Sequence, residues 1–297
     1  MRKTYSKEQK PLVSIIMPAY NSASFLPDSI KSILNQTYRN FELIIIDDFS
    51  KDNSLAIIKN FASKYPDKIK VVELKRNYNH GGDSCANQGI IKAKGKYIAR
   101  MDADDIAYPK RIEKQVDFLE KNFSVFAVGS QADIINKQGE ITGIKKVPTE
   151  YKNLFREYFN IHPIIHPTLM FRNEHKGSKF YKIKFSANND YYTLFYLLTK
   201  GKIIVNLKEK LIKYRIHGKN DTFVNIREKL WNTIKIKVEM VLKHGYQPSW
   251  AQLLNLLFQI IIAIVVPEKI IFISYLYFKG IKKFSNPFSF HKLSLIK

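Results

Sequence analysis

PLVSIIMPAYNSASFLPDSIKSILNQTYRNFELIIIDDFS, residues 11 to 50, holds the pattern that decides the fold. LVSIIMP (12–18) is a short apolar run rich in β-branched residues and closed by Pro18, the mark of a buried strand. Behind it Phe25, Leu26, Ile30, Ile33 and Leu34 recur at helical spacing, with Asn21 or Ser22 placed to cap the helix. FELIIIDD (41–48) is a second buried strand, and Ser50 or Asp52 is placed to cap a helix carrying Leu55, Ile58, Phe61 and Ala62. IKVVEL (69–74) supplies a third strand. Beyond KRNYNHGG, a helical stretch to Ala93 and a Lys94-Gly95 turn lead into a fourth, KYIARM (96–101). Strands alternating with helices at this interval build right-handed βαβ units around a parallel, doubly wound sheet, which binds ligands beyond the carboxyl ends of its strands.

Four polar groups follow those ends: Pro18 to Asn21, Asp47 with Asp48, the loop 76–83, and Asp102 to Asp105. One edge of the sheet therefore collects them. In ARMDADDIAYP (99–109) a chain of formal net charge +23 packs three carboxylates into four positions. Carboxylates this close raise one another's pKa unless a positive charge sits among them. An all-oxygen set suits a hard cation, and Mn²⁺ or Mg²⁺ held by one or two carboxylates completes its shell with water and substrate phosphates. The expectation is a phosphorylated ligand. Asp48 is placed to accept hydrogen bonds from a base or ribose. Arg76 and the backbone N–H groups of HGGDS (80–84), with Gly81, Gly82 and Asp83 at its centre, are placed to reach phosphate or sugar. Asp47 and Asp48 would serve equally well as caps of the following helix, and the residue pattern leaves both roles open.

At 297 residues and 45% hydrophobic content the chain is long enough and apolar enough for a large α/β domain, with no low complexity and no short-period repeat. The single Cys85 excludes a disulfide framework and a thiolate zinc site, which suits a reducing compartment. MRKTYSKEQK (1–10) is a basic tail with no apolar core behind it, so no secretory signal is expected and the cytoplasm is. From Lys200 onward, eighteen Lys or Arg stand against five Asp or Glu, 18 − 5 = +13. Such a surface attracts polyanions, either nucleic acid or the anionic face of a membrane, although solvated lysines without a partner look the same.

Further along, a helix carrying Ile112, Val116 and Leu119 precedes SVFAVGSQADII and the KQGE turn, which indicate a hairpin. Strands are expected at TLMFR, KIIVNL and LIKYRIH, and a helix after Asp190. Residues 223–244 carry Phe223, Ile226, Leu230, Ile234, Val238 and Val241 as the apolar face of an amphipathic helix. LLNLLFQIIIAIVV (253–266) is nearly all apolar, broken by Pro267, Glu268 and Lys269, and followed by IIFISYLYF (270–278). The first run is short of the roughly 20 residues a spanning helix needs. An in-plane or re-entrant membrane anchor is expected, with Lys279, Lys282 and Lys283 at the headgroups and Phe284, Phe288 and Phe290 beyond; a buried helical pair or a dimer contact is the alternative.

The first strand-to-helix turn, PAYNSA, has no glycine, which removes a G-x-G-x-x-G dinucleotide grip, and no G-x-x-x-x-G-K-[ST] loop is present. HPIIHP (162–167) has metal-like histidine spacing, but Pro163 and Pro167 prevent the helix that would put both rings on one face, so zinc is not expected. No nucleic-acid module is visible, and nucleic acid is not an expected partner.

Three segments carry a resemblance: residues 11–54, NHGGDSCANQGI (79–90), and AKGKYIARMDADDIAYPKRIEKQ (93–115). Together they resemble the nucleotide-binding half of family 2 glycosyltransferases, which have the glycosyltransferase A fold. HPTLMFR (166–172), NNDYYTLF (188–195) and LIKYRIH (211–217) are similar to the acceptor half. The resemblance spans about residues 11–220 in the right order and is of the bacterial surface-polysaccharide type. It divides the chain into a tail (1–10), a nucleotide-sugar half (11–125), an acceptor half (126–222) and C-terminal amphipathic and apolar helices (223–297).

The resemblance implies transfer from a nucleotide-diphosphate sugar, usually a UDP-sugar, to a hydroxyl of a glycan or lipid-linked acceptor, with anomeric inversion. Pro18, Tyr20 and Asp48 match positions that hold the nucleoside, with Asn21 beside them. Asp102 and Asp104 match the D-x-D that holds the metal on the diphosphate, with Ala103 between and Asp105 next to them. Asp190 falls at the catalytic base, and His166 at the acceptor site. His217 matches a histidine that approaches the metal or diphosphate. Plainer roles stand beside these: helix cap for Asp190, turn packing for His166, strand end for His217. Asn189 stands where the family usually has Glu, and the loss of that like charge predicts that Asp190 titrates lower than in relatives. The implied location is the cytoplasmic face of a bacterial membrane, with oligomeric state left open. The competing expectation from the charge is a basic membrane- or nucleic-acid-binding protein that keeps the fold without transferase activity.

Overall fold

The computed structural model describes residues 10–78, 82–174, 176–217 and 224–278. The first half alternates strand and helix: β1 (Val13–Ala19), α1 (Leu26–Leu34), β2 (Phe41–Asp47), α2 (Ser54–Lys64), β3 (Ile69–Glu73), α3 (Asp83–Ile90) and β4 (Tyr97–Arg100). There follow β5 (Ile106–Ala107), α4 (Arg111–Lys121), the hairpin β6 (Val125–Ile135) and β7 (Ile141–Lys145), α5 (Tyr151–Glu157) and β8 (Met170–Arg172). The chain continues through α6 (Asn189–Thr199), β9 (Ile203–Arg215), α7 (Ile226–His244), α8 (Trp250–Val265) and α9 (Glu268–Phe278).

The strands form one sheet in the order β3-β2-β1-β4-β8-β6-β9-β5, with β7 paired to β6. β1 lies parallel to β2 and β4, and β2 to β3, so the strand order reverses at β1 and opens a crevice where β1 and β4 end. The second half is mixed: β8 runs antiparallel to β4 and β6, while β6 and β9 are parallel. Both faces are covered, and this is why β1 and β2 read as unbroken apolar runs. Ile16, Ile44 and Ile46 pack on one face with Leu154, Tyr158 and Phe195; Ile15, Met17, Leu43 and Ile45 pack on the other with Ile30, Ile33 and Ile112.

Three local expectations change and one, the Asp52 brace on the first turn of α2, holds. KIIVNL and LIKYRIH are one strand, β9, because pairing with β6 continues past Lys208 to Lys210 through register shifts at Ser130 to Ala132. α1 starts at Leu26 with no side-chain cap; Asn21 adopts φ +47° and its Oδ1 accepts from the Lys51 N–H, while Ser22 carbonyl oxygen accepts from Phe25 and Leu26. α2 starts at Ser54, whose N–H donates to Asp52 Oδ1 at 2.9 Å. α7 buries Ile226, Ile234, Ile236 and Met240, with Val238 exposed, because contacts with both α6 and α8 turn its covered face away from a single stripe. Phe223 and the lysines and phenylalanines beyond Phe278 lie outside the described residues, as do residues 1–9.

Candidate active site

Asp48 follows β2 and is 5% exposed; its Oδ1 accepts from the Tyr78 N–H at 2.9 Å, and its backbone N–H donates to Ala19 at 2.8 Å. Burial, with Asp47 next to it, raises its carboxyl. Asp47 takes the turn-bracing role, accepting from the Ser50 N–H at 3.1 Å. Tyr20 is half exposed at the end of β1, and the Arg76 guanidinium lies 5.3 Å from the Tyr78 ring centre. Pro18 sits within β1, opposite Ile46. Gly82 adopts φ +81°, a left-handed conformation in which a side chain would be strained, and it lies against the Arg100 guanidinium, with a Cβ there 3.4 Å from Nη2. Gly81 lies outside the described residues.

Asp102, Asp104 and Asp105 each place a carboxylate oxygen within 4.8 Å of the other two. Asp102 Oδ1 pairs with Arg100 Nη2 at 2.9 Å. Asp104 Oδ2 lies 3.0 Å from His217 Nε2, and the His217 ring stacks on Phe25 with centroids 4.6 Å apart. Asp105 is 1% exposed; its Oδ1 accepts from the Arg215 N–H at 2.8 Å, and its Oδ2 accepts no hydrogen bond. The loop is held from below: Ser29 Oγ donates to the carbonyl oxygens of Ala103 and Asp105, and fully buried Arg111 donates to that of Arg100 at 2.6 Å. Burial raises the Asp102 carboxyl against the pull of Arg100, and burial with Asp104 and Asp102 raises Asp105 well above the usual range. An all-oxygen cluster with one orphaned buried oxygen fits a hard divalent cation. Asp105 thus joins the two residues of the D-x-D as a candidate ligand, and His217 reaches the cluster through Asp104.

Asp190 occupies the first turn of α6. Its Oδ2 lies 3.1 Å from His162 Nε2 and 3.6 Å from His166 Nδ1, and its N–H donates to Asp83 Oδ2 at 2.8 Å. The Ile164 N–H donates to His162 Nδ1 at 3.3 Å, which assigns the ring proton to Nε2 and makes His162 the donor to Asp190. His166 Nε2 lies 2.7 Å from the Tyr181 hydroxyl, and burial pushes this imidazole down to about 3, so it is neutral at physiological pH. Burial works to raise Asp190, but His162 beside it and the hydrogen bond it donates outweigh that and hold the carboxyl well below the usual carboxylate range, while His166, being neutral, packs against it without adding charge. Asn189 has a separate job: its Oδ1 accepts from the N–H groups of Lys184 and Phe185, bracing the loop before α6. Asp83 is buried beneath Asp190 and links α3 to α6.

His162 is the residue that sequence reasoning passed over. The signal was the HPIIHP repeat itself, set aside as a zinc motif and not weighed as a partner for a carboxylate 28 residues away.

Residues 14–176 match the model of Glycosyl transferase family 2. The chain is 36% identical over 247 residues to an uncharacterized glycosyltransferase of Haemophilus influenzae, covering 79% of this chain and 74% of that one. It is 32% identical over 232 residues to one from Methanocaldococcus jannaschii, covering 77% and 79%. Among solved structures, S. aureus TarS in complex with UDP superposes with a TM-score of 0.61 at 15% identity, over 86% of this chain and 73% of that one. A Pyrobaculum calidifontis mannosyltransferase in complex with GDP-Man and Mn²⁺ superposes with a TM-score of 0.58 at 16% identity, over 92% and 77%. At those identities the structures speak for the fold, and the family model and the relatives speak for the family. The chain belongs to family 2 of the glycosyltransferases and has the glycosyltransferase A fold.

Proposed function

We propose that this glycosyltransferase moves a sugar from a nucleotide-diphosphate donor, a UDP-sugar, to a hydroxyl of a glycan or lipid-linked acceptor in bacterial surface-polysaccharide synthesis, inverting the anomeric centre. The observation that carries this is the closeness of two unlike acidic sites, the crowded trio after β4 and the histidine-held Asp190 on α6, linked by buried Asp83, which accepts from the Asp190 N–H and interacts with Asp102. The uridine preference rests on the resemblance of Pro18, Tyr20 and Asp48. The related folds are found with both UDP and GDP-Man.

Asp102 and Asp104, with Asp105 behind them, would hold Mn²⁺ or Mg²⁺. When bound, such an ion neutralises negative charge on the departing diphosphate as a Lewis acid. Asp48 accepts hydrogen bonds from the base or ribose, and Tyr20 offers an exposed ring to the base. Arg76 and the Gly82 turn face the phosphates and sugar. Asp190 takes the proton from the acceptor hydroxyl on the opposite face of the sugar. Its low pKa keeps it ionised and ready, while general-base catalysis is worth roughly 10² to 10⁴ in rate. His162 fixes which carboxylate oxygen is already committed. His166, beside the same oxygen, borders the acceptor site.

A thermal-shift screen of UDP- and GDP-sugars with and without Mn²⁺ tests the donor assignment, since a ligand that binds only the native state raises its melting temperature. A rise with a UDP-sugar that needs Mn²⁺, and slow hydrolysis of that sugar by purified protein, is the expected result. A response to GDP-sugars alone overturns the uridine assignment, and no metal dependence overturns the role of the trio.

A further inference from the structure

The 16 residues of α8, WAQLLNLLFQIIIAIV, contain no charge, and their few polar side chains point into the protein. Gln252 donates to the Arg156 carbonyl oxygen at 2.8 Å, and Asn255 Nδ2 lies 3.4 Å from Asn160 Oδ1. Gln259 Oε1 accepts from the buried Lys237 ammonium at 2.8 Å. Trp250, Leu254, Leu257, Phe258, Ile261 and Val265 face outward, each 49% to 83% exposed. Their spacing of 4, 7, 8, 11 and 15 from Trp250 puts them on one stripe along the whole helix. A helix packed for water does the reverse, burying its apolar stripe and wetting its amides.

The helix cannot roll to correct this. Ser249 and Gln252 form a capping box at its start, and Arg227 donates to the carbonyl oxygens of Ala263 and Val266 at 2.9 and 2.6 Å at its end. We propose that α8 is a membrane-contact element lying flat in the headgroup region of an anionic bilayer, with the Trp250 to Val265 stripe in the acyl boundary. Sixteen residues at about 1.5 Å each give roughly 24 Å, short of the ~30 Å hydrocarbon core, so the helix lies along the surface and does not cross it. No helix among the described residues is long and apolar enough to cross. A tryptophan at one end suits the interface. Charge selects lipid over a second copy: the chain carries a formal net charge of +23, so two copies repel while an anionic leaflet attracts. This inference stands on the α8 geometry and is independent of the donor chemistry proposed above.

Flotation of the purified full chain with vesicles of phosphatidylcholine, alone or mixed with phosphatidylglycerol, tests it. The full chain is expected to float with the mixed vesicles. The variant Leu254→Ser/Leu257→Ser/Ile261→Ser is expected to bind on the order of a hundred-fold more weakly with an unchanged circular dichroism spectrum, because these side chains mostly face out of the fold. Equal flotation of wild type and variant overturns the proposal and leaves surface charge as the attraction. A wild type that ignores vesicles overturns it too. If that protein is then a dimer that the variant dissociates, the stripe is a contact between copies. Donor-induced thermal shifts stay unchanged in the variant, so failure here is distinct from failure of the transferase assignment.

Discussion

The end of β4 and the start of α6 both hold buried carboxylates, and their surroundings push them in opposite directions. After β4 the neighbours are other carboxylates: burial and Asp104 raise Asp105, and Arg100 only partly offsets burial at Asp102. At α6 the neighbour is the His162 imidazole, and Asp190, with its side chain 20% exposed, is held low although burial works to raise it. The first cluster leaves a buried Asp105 oxygen unpartnered and suits an added cation, whereas at the second His162 meets the Asp190 carboxylate, and it is Asp83 beneath it that is raised and keeps an unpartnered oxygen. A formal net charge of +23 does not change this, because surface lysines are screened within about 10 Å of salt water.

The comparison breaks most readily at the metal. Replacing both Asp102→Asn and Asp104→Asn is expected to lower donor hydrolysis by about 10³-fold, as expected for loss of several kcal/mol of charge stabilisation, and to abolish the Mn²⁺-dependent thermal shift. If the shift survives, the cation site lies elsewhere. Asp190→Asn is expected to reduce transfer by roughly 10² to 10⁴ while donor binding stays nearly intact. A variant with full turnover ends its role as the base.

His162→Gln sharpens the contrast. Loss of the imidazole is expected to move the acidic limb of the pH–rate profile upward, toward the ordinary carboxylate range, with about a tenfold loss of kcat and little change in the donor KM. A merely structural His162 would leave the limb in place. The smallest effect concerns Asp105. Folding raises this carboxyl, so its contribution to the stability of the metal-free protein is greatest below the unfolded value of about 3.9 and declines as pH rises toward the folded value. Asp105→Asn is expected to flatten that decline and to stabilise the metal-free protein at pH 7 by about 1 kcal/mol in chemical denaturation. Asp190 carries the opposite sign: its contribution is present above about 3.9 and is lost as pH falls toward its depressed value.

The legibility of these two sites differs in the same way. Asp102, Asp104 and Asp105 are neighbours in sequence at a strand end, so local pattern and like-charge repulsion suffice to find them. The setting of Asp190 depends on partners 28 and 107 residues away, His162 and Asp83, which a linear pattern does not bring together. The departure at Asn189 drew attention to a missing charge, yet it is His162 that holds Asp190 low, while Asn189 braces the loop. At the C-terminus, density of apolar residues predicts a helix of unusual hydrophobicity, but only the inward hydrogen bonds of Gln252 and Gln259 reveal which side faces out.

By itself the sequence determined the parallel β1 to β4 core, the crevice at its carboxyl edge, the acidic trio and the family, because each is written in short-range periodicity or in adjacent residues. Tertiary structure alone decided that β9 is one strand, that His162 holds Asp190, and that α8 turns its apolar stripe outward. Those depend on which distant surfaces meet, and side-chain charge and burial take their values only once they do.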